Sequence, residues 1–226
     1  ASPNAIDGSL DVIAEALGSL GVRSVLCYET SDRDGTGPAA AGVGENRRFA
    51  ERVRRERPQL LRALIGAHAS FTLSDETLAA CATAAADFGV GIHVHVAEDE
   101  ADETDALARD RLRVVERLER MHALDDRTLL AHGVHLDRKE LELVAAAGAS
   151  VAHNARSNMN NSVGRAAVME LGAHVALGTD GIGSDMFEES RAAYFRLRED
   201  DLGAGPEWPL ARLAEATPGL ALGFDP

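Results

Sequence analysis

The chain contains few of the residues that mark several protein classes. Among its 226 residues, 2 are cysteine, 4% are aromatic and only one, Lys139, is lysine. Cys27 and Cys81 are too few and too scattered for a disulfide framework or a cysteine-rich zinc ribbon, so we expect two buried thiols. Lys139 lies in the polar first turn of a predicted helix. The chain therefore offers no strand-borne lysine for Schiff-base chemistry or for a modified lysine that bridges two metals.

Basic charge and long apolar runs are also scarce. The chain has 23 basic against 37 acidic residues, a net charge of -14, which disfavours a nucleic-acid partner. It has no apolar run of about 18 residues, the length of a membrane span, and no secretion signal at its start. We expect a cytoplasmic protein with a small-molecule substrate and neither nucleic acid nor membrane as partner. A homodimer is compatible with this composition.

The hydrophobic pattern predicts one globular domain, residues 1–226, in which strands alternate with helices. Strands are predicted at residues 22–28, 60–68, 91–97, 128–131, 150–152 and 174–178. Helices are predicted at 8–20, 45–57, 74–88, 103–122 (an outer, solvated helix), 137–147, 163–171, 187–198 and 209–215, and residues 29–44 are predicted to be a polar, glycine-rich loop. Six strand-then-helix units predict a parallel sheet, either an open doubly wound sheet or a barrel.

Polar residues at the strand ends favour the barrel. His68, His95, His132, His153 and Asp180 end five successive strands. A barrel brings all its strand ends to one mouth, whereas an open sheet would spread them too far apart for one site. We therefore expect an α/β fold of the (β/α)8 TIM-barrel type, incomplete in this chain because about six units are visible.

The segment from Gly91 to Glu98 carries the strongest local signal. His93 and His95 alternate with apolar residues at the two-residue period of a strand, so both imidazoles project from one face. Glu98 can join His95 only if the strand ends near Ala97 and the chain bends. This pattern is typical of a metal site at a strand end, and equally of a histidine-bearing strand that runs into a solvated acidic loop.

Several motifs, in order along the chain, resemble the amidohydrolase superfamily. They are Ala67-His68-Ala69-Ser70-Phe71-Thr72, His93-Val94-His95-Val96-Ala97-Glu98, Leu130-Ala131-His132-Gly133, Val151-Ala152-His153-Asn154 with Ser157-Asn158-Met159, and Leu177-Gly178-Thr179-Asp180-Gly181. They look like the branch of metal-dependent deaminases and chlorohydrolases. Residues 27–35 are similar to SsnA-type aminohydrolases.

The resemblance implies roles for individual residues. His95 and Asp180 would bind one divalent metal, zinc before iron, and Glu98, His132 and Asp180 would handle protons and orient the attacking water. His68 would contact the substrate. His153 and Asn154 either orient the loop after their strand or contact the substrate, and His93 lies deeper and supports or packs. Arg33, in the 29–44 loop, is a candidate partner for an anionic substrate group.

The sequence departs from the family's pattern in one respect. The family's first barrel strand carries a His-x-His pair that supplies two more metal ligands, and a small β-sandwich is assembled from both termini, but neither is visible here. We therefore expect the chain to be part of a longer protein and to bind the catalytic metal weakly by itself.

Three functions remain open at this point. The first is hydrolytic deamination of an amino-substituted heterocycle by metal-activated water, which the pair of Glu98 and His132 favours. The second is hydrolysis of a C–Cl or cyclic amide bond at the same metal. The third is a non-catalytic barrel fragment that acts as a binding module.

Overall fold

The computed structural model describes residues 6–171, 174–219, 222 and 224, so the ends of the predicted domain lie partly outside the described residues. The strands are β1 (Ser24–Leu26), β2 (Leu61–Ala63), β3 (Ile65–Ala69), β4 (Ile92–Val96), β5 (Leu129–His132), β6 (Ser150–His153) and β7 (Val175–Leu177). The helices are α1 (Ser9–Ser19), α2 (Thr36–Glu56), α3 (Asp75–Phe88), α4 (Glu100–Asp110), α5 (Val114–Arg120), α6 (Arg138–Ala147), α7 (Ala155–Asn160), α8 (Met186–Asp200) and α9 (Glu207–Gly219). None of the helices in these ranges combines the length and apolarity that a bilayer crossing requires.

The strands follow one another across the sheet in chain order. Strands β3 to β7 form a parallel sheet of five strands in sequential order, and β1 pairs in parallel with β2. Only Leu64 separates β2 from β3, and a parallel bridge joins Thr30 to Ala67, so the two sheets continue into each other. A doubly wound sheet reverses its order at a switch point, whereas a barrel wall does not. The six predicted strand regions are therefore present, in the order of a barrel wall.

The two faces of the sheet carry different side chains. His95, Ala131 and Ala152 are register partners on neighbouring strands and share one face, here called the inner face. Val94 and Val151 lie on the opposite face and belong to the main hydrophobic core, together with residues of the helices. Each fully buried side chain of this kind contributes about 1.5–3 kcal/mol. Helix packing on the outer face thus leaves the inner face for the polar side chains.

Two helices start where the sequence analysis predicted them, each at a capping residue. The hydroxyl oxygen of Ser74 accepts the amide of Thr77 at 3.1 Å at the start of α3. The carboxylate of Asp137 accepts the amide of Glu140 at 2.9 Å at the start of α6. Since such a cap stabilises a helix by about 1 kcal/mol, these starts were visible in the sequence.

Helix α2 is longer than predicted, because residues 36–44 are helical and do not belong to a loop. This first part packs against the segment that follows β1: a Cβ on Gly42 would lie 3.1 Å from the ring of Tyr28. Asn46 of α2 is fully buried, and its amide bonds both the backbone N–H and the backbone carbonyl of Tyr28 at 2.8 Å. Tertiary docking stabilises these turns, although their glycines disfavour a helix locally.

The predicted long helix over residues 103–122 is two helices, α4 and α5. Arg111, with φ of 56°, ends α4. The buried carboxylates of Glu103 and Glu140 then accept the first two amides of α5 at 3.2 and 2.9 Å. The prediction of a solvated helix is also wrong for α5, since Arg117 is fully buried and donates to the carbonyls of the turn after β3.

Residues 163–171 contain no helix, contrary to the prediction, and the helix after β6 is α7. The apolar residues of this stretch have another structural role, because Ala166 and Val168 are buried against Leu197 of α8. Gly164, with φ of 118°, adopts a conformation that a helix does not contain. The apolar residues here pack on a neighbouring helix without forming one.

Candidate active site

His95, on the inner face of β4, lies between two other histidines. Its ring centroid is 5.4 Å from that of His68, at the end of β3, and 5.4 Å from that of His132, at the end of β5. The Nδ1–H of His95 donates to the backbone carbonyl of His68 at 2.6 Å, because a carbonyl oxygen can only accept. The lone pair of His95 is therefore on Nε2, the atom available to a metal.

Glu98, His132 and Asp180 form a second group beside His95. The Nε2 of His132 lies 3.7 Å from a carboxylate oxygen of Glu98 and 3.9 Å from one of Asp180. Ligand atoms of the three residues all lie within 4.8 Å of one another. Three separate strand ends therefore bring one imidazole and two carboxylates to one point.

Left-handed backbone conformations orient this group. Ala97, His132 and Asp180 have φ of 46°, 73° and 52°. Strand β4 ends at Val96, and the chain bends at Ala97. The sequence analysis required this bend if Glu98 was to lie beside the histidines. His132 pairs in register with Val96, whose side chain lies on the outer face of the sheet. The positive φ of His132 nevertheless turns its ring toward His95 on the inner face. These strained residues occur where several side chains converge, as is common at functional sites.

Asn158 binds the Nδ1 side of the His132 ring, and Asn154 packs beside it. The Oδ1 of Asn158 on α7 accepts from the Nδ1 of His132 at 2.9 Å, and the Nδ2 of Asn154 lies 3.4 Å from the same nitrogen. Asn154 is buried, and a Cβ on Gly178 would lie 2.3 Å from its Oδ1. The predicted substrate residue Asn154 is therefore placed next to His132 and packed against the end of β7.

Two further residues of the α7 region hold the carboxylates, and the sequence analysis gave neither of them a role. The hydroxyl of Ser157 donates to Asp180 at 2.5 Å, and the side-chain amide of Asn161 donates to Glu98 at 3.0 Å. Burial tends to raise the pKa of Asp180, but the bonds from Ser157 and from the amide of Gly181, with the nearby histidines, keep it below its ordinary value. Ser157 lies in the Ser157-Asn158-Met159 motif, and this motif was the sequence signal that could have identified it as a site residue.

His68 belongs to a third side of the site, with Glu29 and Thr72. Its Nε2 lies 3.2 Å from a carboxylate oxygen of Glu29, and its Nδ1 lies 2.8 Å from the hydroxyl of Thr72. Burial lowers the pKa of His68, while the charge of Glu29 opposes that shift. Glu29, which the sequence analysis did not single out, forms with His68 and His95 a group whose ligand atoms lie within 4.8 Å of one another.

Arg33 lies beside this group at the surface. Its guanidinium carbon is 5.8 Å from the ring centroid of Phe71. With Glu29 and His68 it lines a cavity of about 140 Å³. The structure thus brings Arg33 to the His68 side of the site.

His93 lies deeper on the inner face, as expected. Its Nδ1 is 3.9 Å from the Sγ of Cys27, and burial lowers its pKa to about 4. Cys81 is buried as predicted, whereas Cys27 is half-buried. Burial raises the pKa of both thiols to about 12, so neither is a thiolate near neutral pH.

The residues present fit a divalent metal. Among the described residues, Glu29, His68 and His95 form one candidate ligand group and Glu98, His132 and Asp180 form another. Imidazole and carboxylate together suit zinc or ferrous iron. The predicted ligand pair, His95 and Asp180, is divided between these groups, which meet where the rings of His95 and His132 stack.

A model of the amidohydrolase family matches residues 3–217. The chain belongs to this family. The membership confirms the resemblance seen in the strand-end motifs, all five of which supply side chains described above. Metal dependence is a property of this family, and both ligand groups of this amidohydrolase are compatible with it.

Two curated relatives match 95% and 78% of the chain and are about twice as long. A 5'-deoxyadenosine deaminase of Methanoregula boonei is 31% identical over 227 residues, which are 95% of this chain and 51% of the relative. A 5-methylthioadenosine/S-adenosylhomocysteine deaminase 2 of Archaeoglobus fulgidus is 35% identical over 179 residues, 78% of this chain and 43% of the relative. The chain therefore spans about half the length of the curated relatives it matches.

Solved structures show the same fold. An adenosine deaminase from Xanthomonas campestris with bound zinc has a TM-score of 0.86 at 25% identity, covering 95% of this chain and 51% of that one. A guanine deaminase from C. acetobutylicum with bound guanine has a TM-score of 0.82 at 14% identity, covering 98% and 59%. The expected α/β barrel, present here in part, is confirmed.

Proposed function

We propose that this chain is part of a metal-dependent hydrolase that removes an amino group from an amino-substituted heterocycle. One observation carries the proposal: Glu98, His132 and Asp180, from three strand ends, bring their ligand atoms within 4.8 Å of one another. The curated relatives described above are named as deaminases of adenosine derivatives. Adenine nucleosides are therefore the first substrates to test.

His95 and Asp180 are the proposed metal ligands. The hydrogen bond from Nδ1–H of His95 to the carbonyl of His68 keeps the Nε2 lone pair available. The bonds from Ser157 and Gly181 keep Asp180 ionised. A divalent cation bound by these groups, zinc before iron, would act as a Lewis acid that makes water nucleophilic near neutral pH.

Glu98 is the proposed proton carrier. Asn161 binds its Oε1, so Oε2 is the oxygen that faces His132. A protonated Glu98 can give its proton to a ring nitrogen of the substrate, which makes the carbon that bears the amino group more electrophilic. The same carboxylate can then carry the proton of the attacking water to the departing ammonia, as a non-ligating glutamate does in the zinc deaminases.

His132 and Asp180 are proposed to orient the attacking water and to accept its second proton, which then returns to Glu98 and restores its protonated form. Because Nδ1–H of His132 donates to Asn158, Nε2 is the basic nitrogen, and it faces both carboxylates. The imidazole can therefore stabilise charge that develops beside Glu98 and Asp180. Asn154 is proposed to act partly by keeping this ring in place.

His68 and Arg33 are proposed to contact the substrate. They line the cavity on the Glu29 side, where His68 can donate or accept a hydrogen bond and Arg33 can bind an anionic group. Further parts of the proposal are that residues 1–226 belong to a single barrel domain, that the protein works in the cytoplasm, and that it can form a homodimer.

The test is ammonia release by the protein that contains this chain. The panel contains adenosine, 5'-deoxyadenosine, guanine and a chlorotriazine, and chloride release is measured for the last. We expect ammonia from at least one amino-heterocycle, and a decrease of about 10²–10⁴-fold for E98Q, because glutamine cannot carry the proton. E100Q is the matched control, since Glu100 is an exposed carboxylate on α4, and it should retain full activity.

Other results would point to the other functions. Chloride without ammonia would indicate a chlorohydrolase. No turnover of any member of the panel by the metal-loaded protein would favour a binding module. An unchanged rate for E98Q would refute the role of Glu98.

A further inference from the structure

Helix α7 presents partners to all three side chains of the group formed by Glu98, His132 and Asp180. The hydrogen bonds, described above, join Ser157 to Asp180, Asn158 to His132, and Asn161, which directly follows the helix, to Glu98. These contacts require that α7 is held in one position. With only six residues, Ala155–Asn160, the helix is too short to be stable by itself. Its position must therefore be fixed by contacts with other elements.

The start of α7 lacks the usual side-chain cap. The first amides of a helix have no carbonyl partner within it, and the side chain of the preceding residue often accepts one of them. Asn154 occupies this position, but its side chain makes no capping hydrogen bond. Its Nδ2 lies 3.4 Å from Nδ1 of His132 instead. The amides that begin α7 must therefore find their acceptor elsewhere in the chain.

Glu189, on α8, provides that acceptor. Its side chain is fully buried, and its Oε1 accepts the backbone amide of Arg156 at 3.1 Å. Its Oε2 lies 3.9 Å from Nε of Arg156 and has no hydrogen-bond partner among the described residues. Burial raises the pKa of Glu189, and the amides of Arg156 and Ala155 oppose that shift. The carboxylate therefore binds the chain at the start of α7.

Arg156 joins the same junction to the segment that follows Asp180. Its Nη1 donates to the backbone carbonyls of Gly183 and Asp185, at 3.3 Å each. Asp185 caps α8, and Glu189 lies in the first turn of that helix. The start of α7 is therefore attached to the chain that runs from Asp180 into α8, so α7 and Asp180 are positioned together.

We propose that Glu189 is a positioning residue of the active site. By accepting the first amides of α7 it fixes the helix, and through the helix it fixes the directions of the imidazole and the two carboxylates of the site. Because Glu189 is fully buried, it acts through α7 and not by contact with the substrate. This inference rests on the proposed function, since it assigns one more residue to that reaction.

Substitutions of Glu189 test this role through the kinetics of ammonia release. E189L fills a similar volume without an acceptor, so we expect kcat to fall about 10–100-fold, as is typical when a residue that orients metal ligands is lost. E189Q keeps an oxygen that can accept the amide of Arg156, so its kcat should stay within about threefold of the original value. KM should change less than about threefold in both variants. E188L is the matched control with full activity, because Glu188 is exposed and pairs with Arg191.

Hydrogen–deuterium exchange tests the role without a substrate. In the original protein, residues 155–161 should exchange as slowly as α8, although a six-residue helix by itself would be almost unprotected. E189L should speed the exchange of this segment at least about tenfold, whereas E189Q and E188L should leave it close to the original rate. If E189L does not fold, E189D replaces it and should also speed exchange, because its shorter side chain draws the carboxylate back from the amide of Arg156.

The inference is overturned if residues 155–161 exchange equally fast in E189L and in the original protein, or if E189Q loses as much kcat as E189L. It is also overturned if exchange of α3 rises by the same factor as that of residues 155–161, since Glu189 would then support the fold as a whole. Because exchange requires no turnover, a protein that releases no ammonia would refute the proposed function and still report on Glu189.

Discussion

Asn158 is the residue whose substitution tests how His132 is held. N158A removes the acceptor of the Nδ1 proton and leaves the buried ring free to turn or change tautomer. Loss of a residue that orients a catalytic histidine typically reduces activity 10–100-fold, so we expect a decrease of about that size in kcat with little change in KM. Steady-state kinetics of ammonia release measures it.

N158D is the matched variant for this prediction. It keeps an acceptor oxygen, and Nδ2 of Asn158 has no hydrogen-bond partner among the described residues, so aspartate loses no bond there. Its kcat should lie clearly above that of N158A. Equal losses in the two variants, with equal thermal stability, would mean that this hydrogen bond does not position His132.

At the scale of residues, the sequence showed which side chains end the strands but not how they are turned. His68, His95, His132 and Asp180 follow apolar strand patterns, so their common edge was predictable. His132 is in register with the outer face, and only its φ of 73° brings it to the site. Ser157, Asn158 and Asn161 reach the site because α7 crosses the strand ends, a position that depends on tertiary packing.

Asp102, near the start of α4, connects the loop of His68 to the turn of Glu98. Its two carboxylate oxygens accept the amide of Ala97 at 2.9 Å and the amide of Phe71 at 3.3 Å. It is buried, which raises its pKa to about 6, against the effect of these two amides. Asp102 therefore acts as a positioning residue that fixes the direction of Glu98 through Ala97.

The variant D102N should lose one of the two bonds, because an amide has a single acceptor oxygen. An unsatisfied buried amide costs about 1–3 kcal/mol, so the free energy of unfolding in urea should fall by that amount. Misplacement of Glu98 should lower kcat at least about tenfold. D126N, which changes an 80% exposed carboxylate, is the control. Unchanged stability and kcat in D102N would contradict the positioning role.

Glu103, at the junction of α4 and α5, should make stability depend on pH. Burial and the charge of Glu140 raise its pKa from 4.5 to about 8, against the effect of the Val114 amide and the charge of Arg113. Between these pH values the folded state keeps a proton that the unfolded state has lost. The contribution is therefore complete below about pH 4.5 and is lost as the pH rises toward about 8.

The measurement is urea unfolding of the original protein and of E103Q across this range. Glutamine keeps the oxygen that accepts the amide of Val114 but cannot titrate, so the decline of stability with pH should be smaller in E103Q. E119Q, at an exposed position on α5, should keep the original slope. An identical slope in E103Q would show that Glu103 does not hold this proton.

At the scale of elements, helices with their own caps were predictable and helices shaped by tertiary contacts were not. Ser74 and Asp137 mark the starts of α3 and α6 by local hydrogen bonds. The break between α4 and α5 depends on Glu140, 25 residues beyond the amide that it accepts. No periodicity within residues 103–122 contains that information.

At the scale of the molecule, the alternation of strands and helices predicted the sequential parallel sheet. Turn and crossover rules limit such an alternation to a few topologies, and the polar strand ends selected the barrel among them. The sequence could not show that the proposed ligands His95 and Asp180 belong to different groups, since that depends on which strand ends stand opposite one another.

Zinc binding by this chain alone should be weaker than nanomolar. Each candidate group among the described residues offers three ligand residues, whereas tightly held structural zinc has four protein ligands. Isothermal titration with zinc, with H95A and D180A as variants, measures the affinity and shows which group binds. A single zinc held with nanomolar affinity would refute this expectation.

The left-handed residues Ala97, His132 and Asp180 have a consequence for the adaptability of the protein. Each holds a conformation that L-residues avoid, at a cost of about 1–2 kcal/mol. Glycine would remove that cost at Ala97, but its more flexible backbone would also fix the direction of the Glu98 side chain less firmly. Laboratory selection for heat resistance alone is therefore expected to enrich glycine at this position. The selected variants should have higher thermal stability and a lower turnover rate.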